Sequence, residues 1–148
     1  IYTIILYLAI NYKKMTSSVI YTGDLRTEAT HLASSSTIET DAPKDNQGKG
    51  ERFSPTDLVA TALGSCMLTI MGIAARTHNI ALDGTRIDIE KIMASNPRRI
   101  GEIKATFHFP AGVTYDDKQK KILEQAALTC PVFLSLHPEC TKTVTFNW

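Results

Sequence analysis

The sequence predicts an α+β domain with largely antiparallel pairing, and three observations carry that prediction. Strand-like segments fall into two groups, before and after a long helical run. That run, Leu58 to Ala75, holds no charged residue over eighteen positions. A shorter helical pattern then precedes a last alternating segment, so the order is strands, helix, hairpin, helix, strand.

Each element has a local reason. Ser17 to Tyr21, Leu25 to Leu32 and Thr37 to Thr40 mix β-branched and polar residues and predict an N-terminal meander. Asp41 to Arg52 is polar and glycine-containing, which predicts a mobile surface loop leading straight into the long helix. Ser54 is placed to cap that helix, Pro55 suits its first position, and Asp57 sits at a capping-box spacing near the positive end of the dipole. The helix is expected to end near His78-Asn79, and its apolar surface requires a sheet, another helix or a second subunit to cover it. Thr85 to Ala94 and Ile100 to Phe109 alternate in register around Ser95-Asn-Pro-Arg-Arg99, a hairpin with a basic tip. Asp116 to Leu128 has helical periodicity with lysines outward. Thr141 to Trp148 closes the chain as a strand with Val144, Phe146 and Trp148 on one face.

Residues 1–14 contain one short apolar stretch with no basic residue before it and no small-residue cleavage site after it. They read as an upstream or non-native extension, with a single domain over residues 15–148. Leu58 to Ala75 is long enough to cross a bilayer, but its threonines, serine, glycines and capped start predict a buried central helix instead.

Composition narrows the function. The 148 residues are 43% hydrophobic and 21% charged, ordinary for a globular domain with a core. A formal charge of +1 gives no electrostatic reason to expect nucleic acid or an anionic membrane as partner. Three cysteines are too few for a disulfide scaffold and fit a reducing compartment, hence a cytoplasmic location. No phosphate loop or dinucleotide fingerprint occurs, and no cofactor is expected. Cys66, Cys130, His137 and Cys140 lack zinc-site spacing, so no metal is expected either.

Cys66 and Cys130 are the candidate chemical groups. Only a thiolate is a strong nucleophile, and a free thiol is mostly protonated near neutrality. Cys66 lies about three turns into its helix, where the dipole does little, and burial alone would make it inert. A reactive Cys66 therefore needs a cation, for which Arg26 and Arg52 are candidates, with Asp57 able to hold the guanidinium. The plain alternative for Asp57 is a helix cap. Cys130 precedes Pro131, as an N-cap with proline at the first helical position would, so its sulfur would face free N–H groups. Its plain alternative is a small buried hydrophobe, and Cys140 reads as structural.

Two segments carry a resemblance. Phe53-Ser-Pro-Thr-Asp-Leu-Val-Ala-Thr-Ala-Leu-Gly-Ser-Cys66 resembles the start of the central helix of the OsmC/Ohr family. Thr129-Cys-Pro-Val-Phe-Leu-Ser-Leu136 resembles that family's second cysteine motif, and the match runs in order from Met15 to Trp148. The resemblance implies an OsmC-like fold, an antiparallel sheet with a long buried central helix, and an intertwined homodimer with a redox site near the subunit interface. It also implies that Cys66 attacks a small organic hydroperoxide and that Cys130 resolves the product, with a dithiol or lipoyl-type reductant closing the cycle.

Hydroperoxide-resistance members usually carry a glycine-rich turn with an Arg near the N-terminus, and a Glu after the helix-start proline. This chain has no Gly-Gly-Arg, and Thr56-Asp57 follows its proline. Arg26 and Asp57 are assigned in their place, and the sequence is closer to the OsmC-like branch. The leading expectation is a thiol-dependent peroxidase in oxidative stress defence. The alternatives are a non-catalytic stress protein binding a small apolar ligand and a thiol redox sensor.

Overall fold

The structure, a computed structural model, describes residues 15–148, and the expectation for residues 1–14 lies outside them. The chain divides into an N-terminal unit ending at Pro55 and a C-terminal unit, Thr56–Trp148.

The N-terminal unit is the expected meander. Strands β1 (Ser17–Gly23), β2 (Arg26–His31) and β3 (Thr37–Asp41) pair antiparallel in that order. Asp24 and Leu25 join the first two with φ of 52° and 60°, the positive values that a two-residue hairpin turn needs to match strand twist. β3 ends on Asp41, which is buried, so the following segment starts from an anchored point rather than a mobile one. A short 3-10 turn, Lys44–Asn46, follows. Gly48 then passes so close to Ala42 that a Cβ on it would stand 1.7 Å from the Ala42 carbonyl oxygen, and only glycine fits there.

α1 (Pro55–His78), all but its first residue in the C-terminal unit, is followed there by β4 (Arg86–Ser95), β5 (Arg98–His108), α2 (Asp117–Leu128), α3 (Pro131–Ser135) and β6 (Thr141–Asn147). β4 and β5 form the expected hairpin, with a cis Asn96–Pro97 bond at its tip. Asp116 caps α2 in a full capping box with Gln119. The last strand departs from the antiparallel expectation: β6 runs parallel to β5, from Glu102↔Thr141 to His108↔Asn147. The cause is the connection, since α2 and α3 carry the chain back along the sheet before it re-enters. The described strands thus make two three-stranded sheets, β1-β2-β3 and β4-β5-β6, rather than one.

The core forms where α1 and α2 meet β5. Ala60, Leu63, Met67, Met71 and Ala75 recur at helical spacing on the buried face of α1. They share one apolar cluster with Ile103, Ala105 and Phe107 of β5 and with Leu123 and Ala127 of α2. Gly64 lets α1 approach β4, because a Cβ there would already touch Ile89 and Ile87. Phe109, Phe146 and Trp148 continue the cluster as stacked rings, Phe109 and Trp148 with centroids 3.9 Å apart. The long helix is buried on one face only. An eighteen-residue window of it has a mean hydropathy of 2.0, apolar enough by composition to cross a membrane, and 33% of that window is buried within the described chain.

Candidate active site

Cys66 and Cys130 come together in the C-terminal unit. Cys66 is half-buried on α1 and Cys130 is fully buried at the start of α3, and both are free thiols. The Cys66 and Cys130 thiols are neighbours, close enough for each to act on the other. Cys130 occupies the position read from the sequence: its backbone is extended, Pro131 follows at the first helical turn, and its Sγ accepts a hydrogen bond from Phe133 N–H at 3.4 Å. Burial pushes the Cys130 thiol up, partly offset by the Phe133 N–H, and the neighbouring Cys66 sulfur pushes it further up. Cys130 is therefore held protonated beside the more accessible sulfur.

Cys66 sits in an apolar stripe. Val59, Ala62, Cys66, Ile70 and Ile73 recur at spacings of three and four, which puts them on one side of α1, next to its buried face. Val59 and Ile73 are exposed, and Ile70 is half-buried. Thr69 and Ile73 also border a groove of about 500 Å³ beside the C-terminal half of α1, with Leu68, Ile80, Leu82 and Arg76. Neither Cys66 nor Cys130 lines that groove.

Asp57 belongs to the C-terminal unit and Arg26 to the N-terminal one. Asp57 Oδ1 is 2.7 Å from Lys91 Nζ, whose ammonium also donates to Thr56 Oγ1 at 2.8 Å. Asp57 precedes Cys66 by nine residues on the same helix, a rise of about 13 Å. A lysine is thus one partner of the Asp57 carboxylate. Lys91 escaped the sequence reading, although a signal existed: it follows Ile87 and Ile89 on the inward side of the β4 alternation, where a lysine needs a partner.

Arg26 is bound within the N-terminal unit. Its Nε and Nη2 donate to Asp41 Oδ1 and Oδ2 at 2.6 and 2.9 Å, and Nη2 also donates to Glu51 Oε2 at 2.9 Å. Asp41 accepts the Glu51 backbone N–H at 3.0 Å as well. The Arg26 guanidinium holds the Asp41 carboxyl well below the usual range, at about 2, and the two carboxylates raise Arg26 in turn. Arg52, the other candidate cation, donates to Glu39 Oε2 at 2.9 Å in the same unit. Cys140 is buried in the core cluster, and its thiol reaches the Thr141 carbonyl at 3.9 Å.

This arrangement has relatives. The OsmC-like protein family matches residues 48–145, a span that contains both cysteine motifs and most of the C-terminal unit. The chain belongs to the OsmC-like family. A solved structure from Psychrobacter arcticus 273-4, whose name proposes an osmotic-stress-induced detoxification response, is 53% identical and superimposes with a TM-score of 0.85 over 90% of this chain and 96% of its own. An OsmC-like protein from Mycoplasma pneumoniae superimposes at 0.73 with 17% identity, covering 90% of this chain and 96% of that one. An organic hydroperoxide resistance protein OsmC from Legionella pneumophila superimposes at 0.69 with 13% identity, over 91% and 98%. The last two share the OsmC-like fold with this chain. No curated protein matches the chain in sequence.

Proposed function

We propose that this OsmC-like protein is a thiol-dependent peroxidase for organic hydroperoxides, with Cys66 as the attacking sulfur and Cys130 as the resolving one. The supporting observation is the pair itself: a half-buried Cys66 on an apolar stripe, beside a fully buried Cys130 that keeps its proton. The Cys66 thiolate attacks the O–O bond, the alkoxide leaves and takes up a proton, and Cys66 becomes a sulfenic acid. Cys130 then forms the S–S bond as water leaves. A dithiol of the lipoyl class restores both thiols by exchange.

The other assignments follow from this reading. The apolar residues beside Cys66 favour a lipophilic peroxide over hydrogen peroxide. A second copy of the chain would cover the stripe that one chain leaves open, as the intertwined homodimer of the family would require. Three free thiols suit a cytoplasmic setting in oxidative stress defence. Arg26 and Asp57 serve as positioning residues, Arg26 by clamping the segment before α1 and Asp57 by tying the first turn of α1 to β4. The test is turnover of cumene hydroperoxide under a dithiol, with a Cys66–Cys130 disulfide trapped and mapped when the dithiol is withheld. Slow stoichiometric oxidation without turnover would favour a redox sensor, and no reaction at either cysteine would favour a non-catalytic binding protein.

A further inference from the structure

Cys130 ends one helix and begins the next. Its backbone N–H donates to Ala127 O at 3.4 Å at the end of α2, while its Sγ caps α3 by accepting from Phe133 N–H. α3 is short and held by half-buried contacts, with Val132 and Phe133 packed against the core cluster. It runs only from Pro131 to Ser135 and buries none of its residues, and Leu134 is 69% exposed. Pro131 brings no N–H, so Cys130 Sγ serves one of the few donors that this first turn offers. A helix this short gains almost nothing from propagation, and its cap weighs heavily. The capping sulfur is also the one in contact with Cys66.

We infer that oxidation of the Cys66–Cys130 pair uncaps α3, so that Pro131–Ser135 is a redox-sensitive element that loosens in the disulfide state. Two thiols and one organic hydroperoxide give one disulfide, one alcohol and one water: the S–S bond forms, the O–O bond breaks, and both thiol protons leave on oxygen. The Cys130 sulfur is thereby tethered to Cys66 and drawn toward α1. A sulfur held in an S–S bond to Cys66 no longer turns freely to accept from the Phe133 N–H, as the thiol does. The coupling is reciprocal, so an intact α3 cap favours the reduced pair. The inference rests on the same pair of thiols as the proposed function, but it does not need the peroxidase chemistry.

Hydrogen exchange followed by mass spectrometry tests it on the full chain, reduced and then oxidised in parallel by cumene hydroperoxide and by diamide. Amides of residues 132–136 should exchange about fivefold faster in the disulfide form, the effect of losing one cap, while β5 is unchanged. Cys130→Ser, whose hydroxyl caps in either condition, and Cys66→Ser should show no oxidant-dependent change in that segment. If diamide links the pair and loosens 132–136 while cumene hydroperoxide does nothing, the switch stands and the peroxidase reading falls. Unchanged protection of 132–136 in the disulfide form would overturn the inference, as would equal loosening in either variant or failure of both oxidants to link the pair.

Discussion

Lys91 Nζ stands 2.7 Å from Asp57 Oδ1, across from the first turn of α1. Lys91 is largely buried and Asp57 only partly, so the pair contributes less than a buried one but more than a solvent-exposed one. Lys91→Met should lower stability by about 1 kcal/mol. Lys91→Arg should recover part of it. Urea midpoints at low and high salt check this, because the loss should shrink as salt screens the pair.

Gly64 is where α1 and β4 come closest. A Cβ there would meet Ile89 Cδ1 at 3.0 Å and Ile87 Cγ2 at 3.3 Å. Alanine would gain about 1 kcal/mol of helix propensity, but overpacking costs about 1–3 kcal/mol. Gly64→Ala should therefore be destabilised by about 1 kcal/mol net, and Gly64→Val by more. Leu63→Ala, one residue earlier and wholly buried, should lose about 2–5 kcal/mol with an unchanged denaturant slope.

Asp41 makes the N-terminal unit acid-sensitive. Its carboxyl is held at about 2 in the fold by Arg26, below the ordinary value of 3.8. A depressed carboxyl stabilises the fold above its unfolded value and loses that contribution as pH falls through the folded one. Exchange protection of β2 and β3 should thus hold above roughly pH 4 and fall toward pH 2. Asp41→Asn should be weaker at neutral pH and lack that acid-side drop. A drop of equal size in the variant would show that another group is responsible.

The elements were legible where one periodicity or cap decides them. The meander, the start of α1 at Pro55, the hairpin and the Cys130-Pro131 cap all stand where local pattern placed them. The parallel placement of β6 was not, because it depends on how α2 and α3 return the chain and not on residues 141–147 themselves. Partner choice was hidden for the same reason. Asp41 looked like the start of a polar loop, and only β2–β3 pairing, with Arg26 opposite Asp41, makes it a buried hub. Lys91 and Asp57 lie far apart in sequence and meet only when β4 packs along α1. The two cysteines were found by their flanking motifs, and the fold brings them into contact.

The most direct test follows free thiols and mass in the reduced protein after mixing with one equivalent of cumene hydroperoxide. The wild type should rapidly form a Cys66–Cys130 disulfide, Cys130→Ser should stop after one fast oxidation at Cys66, and Cys66→Ser should not react on that timescale. Cumene hydroperoxide should be consumed faster than hydrogen peroxide. Oxidation at the same rate in Cys66→Ser, or no change at Cys66 in the wild type, would contradict Cys66 as the attacking sulfur.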